Sequence, residues 1–298
     1  MSAPLTRDRP LEREAGSGAA SGRNVFRFRE GVSRRWRPAP ALTATAAAHA
    51  GALLAFAAAP AAWPWLAAAL AANHGTLLAA SLSPRSQLLG ANRVRLPEAA
   101  ARRGEVALTF DDGPDSELTP RVLDLLDAHG AKASFFCIGE RAAAQPGLVR
   151  EIAARGHSVE SHGQRHSAAF ASYGPWRLMR DVEAAQDAIA GACGVAPRFF
   201  RAPFGTRNPM LDPTLSRLGL HYVSWTRRGY DTVDRRAPRV LRRLTAGLRA
   251  GDILLLHDGE LGHARSVLAV LPGVLAALAE RGLRGVSLRA ACGDEPSA

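Results

Sequence analysis

Cysteine is nearly missing from this 298-residue chain: there are three, Cys137, Cys193 and Cys292, odd in number and far apart. That spacing excludes a CxxC metal or redox motif and argues against a disulfide framework, which leaves the three thiols as buried spectators. Lysine is scarcer still, with Lys132 alone, so arginine carries almost all of the positive charge behind a formal net +11. Beside abundant alanine, that bias reads as genomic composition. Aromatic residues make up only 6%; there is no basic stripe interleaved with aromatics and no nucleic-acid motif, which argues against nucleic-acid binding. What is plentiful is apolar residues, at 47%, enough for one large domain plus an extension.

The extension comes first. Residues 1–39 hold Arg7, Arg9, Arg13, Arg23, Arg27, Arg29, Arg34, Arg35 and Arg37 among Gly, Ser and Pro, the composition of a disordered basic arm. Residues 40–83 carry no charge, and two apolar stretches there each approach the ~20 residues a spanning helix needs. Pro60 and Pro64 interrupt them around Trp63 and Trp65, which fit an interfacial belt at a hairpin tip. Arg34, Arg35 and Arg37 flank one outer end and Arg85, Arg93 and Arg95 the other. By the positive-inside rule this describes a multi-pass hairpin of the inner (cytoplasmic) membrane, with the following domain on the cytoplasmic face. Unpaired cysteines are compatible with that reducing compartment. Alanine is only weakly hydrophobic, however, and Asn73, His74 and Thr76 dilute the second arm, so one span or a signal-type segment, with the domain outside, is the alternative.

Residues 84–103 read as a linker, 104–290 as the main domain and 291–298 as a tail. Within the domain, strand-like runs at 106–110, 133–138, 158–160, 198–201, 222–225, 253–256 and 285–288 alternate with helix-length segments such as 119–129, 141–155 and 176–192. The expected fold class is therefore α/β: a parallel sheet with helical crossovers, closed or nearly closed as a distorted seven-stranded (β/α) barrel, preceded by the transmembrane hairpin.

The first strand runs into Thr109-Phe110-Asp111-Asp112-Gly113-Pro114. Gly-Pro stops it abruptly, leaving two carboxylates at its C-terminal end, and adjacent side chains there diverge. One carboxylate suits a metal and the other a proton. The third strand leads into Glu160-Ser161-His162-Gly163-Gln164-Arg165-His166, two histidines four apart that would converge on one metal if the segment were a helical turn. Arg201-Ala202-Pro203-Phe204-Gly205 closes the fourth strand and Leu255-Leu256-His257-Asp258 the sixth. Barrel active sites gather at such strand ends. Singly, these residues are ordinary turn formers, a structural histidine or a surface ion pair; together they point to a catalytic centre.

In this order and spacing, TFDDGP, His-x3-His, RAPFG and LLLHD resemble the polysaccharide deacetylase family (chitooligosaccharide deacetylase, NodB-type homology), over roughly 104–289. The resemblance implies a distorted barrel fold and a metal-dependent enzyme, a hydrolase that removes N-acetyl or other acyl groups from a carbohydrate. It implies Asp111 as general base, Asp112, His162 and His166 as ligands of one divalent metal, zinc by default, and His257 as general acid. It further implies that Arg201 orients Asp111, that Asp231 partners His257, that the backbone N–H of Phe204 stabilises the oxyanion and that Leu255 lines the acetyl pocket. The chain departs from the family pattern at Gly163, where Ser or Thr is usual, at Arg228, where an acid is expected, and at Thr232, where a tryptophan is expected. The last two remove an aromatic wall and add positive charge. That disfavours a long neutral chitin or xylan chain and favours an anionic or lipid-phosphate-linked sugar, with Arg227 and Arg228 suiting a phosphate.

Metal-activated water explains these residue types without a covalent nucleophile. The partners expected are thus an N-acylated carbohydrate and the lipid bilayer. Two alternatives stand beside this reading: a deacylase or deformylase of a lipid-linked sugar precursor at the inner leaflet, and a catalytically silent glycan-binding membrane protein.

Overall fold

The computed structural model describes residues 35–259 and 266–293. Residues 1–34 of the expected basic arm and 294–298 of the expected tail lie outside it.

Eight short strands form one curled parallel sheet: β1 (Glu105–Asp111), β2 (Ser134–Cys137), β3 (Ser158–Ser161), β4 (Phe199–Phe200), β5 (His221–Tyr222), β6 (Arg227–Arg228), β7 (Ile253–His257) and β8 (Arg284–Val286). Their order is β5-β4-β3-β2-β1-β7-β6, with β8 beside the first half of β1. The strand that the sequence does not reveal is β6, two arginines with no apolar alternation. All seven residues of β1 are buried, as a parallel strand covered on both faces requires. Val106, Leu108 and Phe110 face an outer layer with Val122, Leu126, Leu254, Leu256 and Leu271. Ala107 lies on the inner side with Phe136, Val223, Trp225 and Leu255.

The helices follow the crossovers: α1 (Pro40–Ala58), α2 (Trp63–Leu82), α3 (Glu98–Arg102), α4 (Leu118–Ala128), α5 (Gly139–Ala144), α6 (Pro146–Ala154), α7 (Pro175–Cys193), α8 (Leu211–Arg217), α9 (Ala237–Thr245), α10 (Val267–Glu280) and α11 (Leu288–Cys292). The single helix expected over 141–155 is two, because Pro146 lacks a donor and drives Gln145 out of helical geometry (φ −130°, ψ 55°). Gly194 ends α7 in a left-handed conformation (φ 76°).

The curl does not close by β5 pairing β6. Residues 92–96 span the gap. The Arg93 N–H donates to the Tyr222 carbonyl at 3.1 Å, the Ser224 N–H to the Arg93 carbonyl at 3.1 Å, and the Leu96 N–H to the Gly251 carbonyl at 2.9 Å. The Thr226 hydroxyl donates to the Val94 carbonyl at 2.8 Å.

Helices α1 and α2 are long and apolar enough to cross a membrane by length and composition, and almost nothing in them is buried. Two of the three polar residues that dilute α2 face α1: Asn73 meets Thr45 at 3.1 Å, and the Nε2 atoms of His74 and His49 are 3.2 Å apart, while the Thr76 hydroxyl donates to the Ala72 carbonyl of its own helix. The root of this hairpin is docked on the sheet domain. The Arg207 N–H donates to the Ser81 carbonyl at 3.1 Å. Its guanidinium, 1% exposed, donates to the Ser86 carbonyl at 3.2 Å and lies over the Tyr222 ring. Trp36 Nε1–H donates to Asp212 Oδ2 at 3.0 Å.

Candidate active site

The C-terminal ends of β1, β3, β4 and β7 meet around Asp112. In an extended strand Asp111 and Asp112 would point apart, but Asp112 adopts φ 75°, which swings its carboxylate back toward the inward-facing Asp111. Both then bear on one imidazole: His162 Nε2 is 3.3 Å from Asp112 Oδ1 and 3.8 Å from Asp111 Oδ2. Gly113 permits this turn, since a Cβ there would lie 2.5 Å from Asp258 Oδ2.

The segment 162–166 is a loop and not the helical turn that the four-residue spacing suggested. Gly163 (φ 77°) and His166 (φ 48°) bend it, and His166 Nε2 comes to 3.2 Å from Asp112 Oδ1. The hydrogen bond that Ser or Thr would supply at 163 is replaced from α7, where Asp181 accepts the Gln164 N–H at 2.9 Å. A Cβ at 163 would meet that same carboxylate at 3.0 Å.

These three side chains fit a divalent cation. One donor atom from each of Asp112, His162 and His166 lies within 4.8 Å of the others. Asp112 Oδ1 is buried and accepts no hydrogen bond among the described residues. His162 Nδ1 lies 2.8 Å from the Arg201 carbonyl, which only accepts, so the proton sits on Nδ1 and Nε2 turns its lone pair to the carboxylates. Burial disfavours charge on His162, yet Asp111 and Asp112 outweigh it and raise its pKa. The carboxylates therefore demand positive charge at Nε2, from a proton or a metal ion. Burial and His162 lower His166 to about 4, its neutral, ligating form at pH 7. Burial works against the Asp112 charge, but His162 foremost pulls its pKa well below the usual carboxylate range.

Asp111 is held separately. Arg201, fully buried, donates from Nη1 to Asp111 Oδ1 at 2.6 Å and to the Thr109 hydroxyl at 2.9 Å, and from Nη2 to the Ser224 carbonyl at 2.9 Å. Its guanidinium carbon lies 4.1 Å from the Phe136 ring centroid. Oδ1 is thus occupied, while Oδ2 faces the histidines.

Across the site, His257 Nδ1–H donates to Asp231 Oδ1 at 2.9 Å, and Asp231 Oδ2 accepts the His257 N–H at 2.8 Å. Burial opposes the imidazolium, but Asp231 outweighs it and raises His257 to about 9. Leu255 lies two residues before His257 on the same side of β7, 1% exposed and packed in the inner cluster with Trp225. Phe204 (φ 58°) is half exposed, with its ring 4.6 Å from that of His166. The next residue, Gly205, abuts Trp225 and Pro84 at the hairpin root.

The nine candidate catalytic, metal-binding and substrate residues read from the sequence thus lie around one centre or brace it. Arg227 does not: its guanidinium is taken by Asp252 at 2.6 Å and by the carbonyls of Ala246 and Gly247. Sequence reasoning missed Thr109, Asp181 and Asp258. Asp258 accepts the Thr119 hydroxyl at 2.6 Å, and burial raises it to about 7. Thr109 was findable, because it shares the strand parity of Asp111.

A curled parallel sheet carrying a carboxylate and two imidazoles at its strand ends, flanked by an arginine-held aspartate and an aspartate-held histidine, has the groups that a hydrolase of the metal-dependent class would use. The chain belongs to the polysaccharide deacetylase family, whose model matches residues 98–223. It is 39% identical over 155 residues to a chitooligosaccharide deacetylase of Bradyrhizobium sp., covering 52% of this chain and 70% of that one. To the chitooligosaccharide deacetylase of Sinorhizobium fredii it is 35% identical over 197 residues, covering 63% and 91%. Among solved structures it is similar to the Bc1960 peptidoglycan N-acetylglucosamine deacetylase, with a TM-score of 0.63, 28% identity and coverage of 67% and 92%. The family 4 carbohydrate esterase from Streptomyces lividans gives 0.57, 32%, and coverage of 61% and 91%. The protein is a carbohydrate deacetylase, of a family that works with a divalent metal.

Proposed function

We propose that this protein hydrolyses the N-acetyl group of an amino sugar with Asp111 as base and His257 as acid, around a divalent metal held by Asp112, His162 and His166. Mixed nitrogen and oxygen donors suit zinc. Such a cation, when bound, polarises an acyl carbonyl and lowers the pKa of water. The chain's own residues do the rest. Asp111 Oδ2, left free by the Arg201 clamp on Oδ1, takes the proton of the attacking water. The backbone N–H of Phe204, fixed after Pro203, donates to the developing oxyanion. Leu255 and Trp225 offer an apolar wall to the acetyl methyl. His257, oriented through Nδ1 by Asp231, delivers a proton from Nε2 to the leaving amine.

The observation that carries this reading is the division of the two aspartates: one is clamped by a buried arginine, the other left with a bare oxygen between two imidazoles. A glycan-binding domain has no use for that division. The test is acetate release from tetra-N-acetylchitotetraose by the full-length protein, with metal content measured on the same sample. We expect release that disappears, together with the metal, in Asp112→Ala. Metal-loaded wild-type protein that frees no acetate, or Asp112→Ala protein that keeps full metal, overturns the assignment.

A lipid-linked sugar, acted on as a precursor at the inner leaflet, is a second reading favoured by one contact. On this reading α1 and α2 cross the inner membrane. Gly205, beside Phe204, packs on Pro84, two residues after α2, so the site lies at the root of the anchor and within reach of a substrate held in the bilayer.

A further inference from the structure

The register of β6 separates its two arginines. Arg227 pairs with Leu254, an outer-layer residue, and Arg228 with Leu255 of the inner cluster. Side chains alternate along a strand, so Arg228 faces the interior beside Leu255, on the side of the sheet that carries His257. Its guanidinium carbon lies 5.4 Å from the Trp225 ring centroid and 4.8 Å from that of Tyr230. Its Nε is buried without a hydrogen-bond partner, and no carboxylate pairs with it among the described residues. Stacking on two rings offsets part of the cost of withdrawing this charge from water, but a guanidinium fork so placed still lacks its oxyanion.

The surroundings carry more positive charge. Tyr230, 47% exposed, also has the Arg243 guanidinium carbon 5.5 Å from its centroid. It lines a cavity of about 560 Å³ with Asp234, Arg235, Arg236 and Arg243. Asp234, the one acid there, is matched by Arg236 at 3.3 Å and Arg243 at 3.0 Å. Tyr230 precedes Asp231, the residue that orients His257.

We propose that Arg228, stacked between Trp225 and the Tyr230 ring that it shares with this arginine-lined cavity, binds an oxyanion substituent, carboxylate or phosphate, of the sugar whose acyl group is removed. This rests on the deacetylase reading and adds the substrate's charge to it. Arg228 is a specificity-determining residue: a neutral sugar leaves its fork empty, and an anionic one fills it.

The test is equilibrium binding of three matched ligands to the full-length, metal-loaded protein: neutral N-acetylglucosamine, N-acetylglucosamine 6-phosphate and N-acetylmuramic acid. Acetate release from the same samples is followed in parallel. At least one anionic sugar should bind about tenfold or more tightly than the neutral one, as a charge-assisted fork predicts. Which of the two is preferred identifies phosphate or carboxylate. The ratio should fall to about one in Arg228→Ala, survive in part in Arg228→Lys and invert in Arg228→Glu. Equal binding of all three by wild-type protein, or a preference that survives Arg228→Ala, overturns the proposal. Acetate release without anion preference sinks this inference alone; anion preference without acetate release sinks the deacetylase reading and keeps the oxyanion site.

Discussion

At the scale of single residues, His257 and Asp231 make the sharpest case. Burial alone would strip the imidazole of its proton, and the Asp231 carboxylate reverses the balance, holding His257 at about 9. A general acid works only while protonated, so activity should fall as pH rises through its pKa. A dication neutralising the charges of Asp111 and Asp112 leaves Asp231 as the chief support of the imidazolium. Asp231→Asn removes that support and keeps the shape. The alkaline limb of kcat/KM should then move down by at least about one pH unit, and an unmoved limb would take Asp231 out of the proton-transfer machinery. His257 was legible in the sequence because a reactive type at the end of an apolar strand stands out, whereas Asp231, beyond the unrevealed β6, was reached only through the family resemblance. The convergence of Asp111 and Asp112 was not legible, since it depends on a left-handed backbone at Asp112 that no residue type announces. Asp258 escaped for a related reason: its place behind Gly113 follows from the β1–β7 register.

At the scale of elements, apolar runs showed where the long strands lie and said little about how the sheet ends. Strands of two residues leave no periodicity to read, and β6 is made of two arginines. Residues 92–96, read as linker, form part of the sheet's closure because the hydrogen-bonding groups of β5 and Ser224 face the gap. Asn92 ties this seal to the root of the hairpin. Its amide donates to the carbonyls of Pro84 at 2.9 Å and Ser86 at 3.1 Å, and its oxygen accepts the Ser224 hydroxyl at 2.9 Å. The Ser224 carbonyl in turn receives Arg201, which clamps Asp111. Asn92→Ala should lower unfolding stability by about 1–3 kcal/mol, the cost of stranding a buried polar group, and reduce turnover with it. Denaturant titration alongside acetate release measures both. Wild-type stability in the variant would show that the 92–96 seal does not brace the sheet.

At the scale of the whole molecule, the apolar α1–α2 hairpin leads to a prediction of which side of a membrane the site would face. Arg35 and Arg37 precede α1, and Arg85, Arg93 and Arg95 follow α2. In the folded protein Arg95 is paired with Asp252 at 2.6 Å, yet topology is set as the chain inserts, before that partner is in place, so its charge still counts. Trp63 and Trp65 at the hairpin tip are 61% and 80% exposed, which would suit residues of the opposite interface if both helices span. If both helices span, positive charge at both outer ends predicts that the C-terminal domain faces the cytoplasm. Because the hairpin root is docked through Arg207 and Trp36, the site must then address a sugar on that same face. A cytoplasmic reporter fused at the C-terminus should be active and an alkaline phosphatase fusion silent. The reverse pattern would mean that only one of the alanine-rich helices spans, or neither, and would turn the same catalytic centre toward sugars outside the cytoplasm.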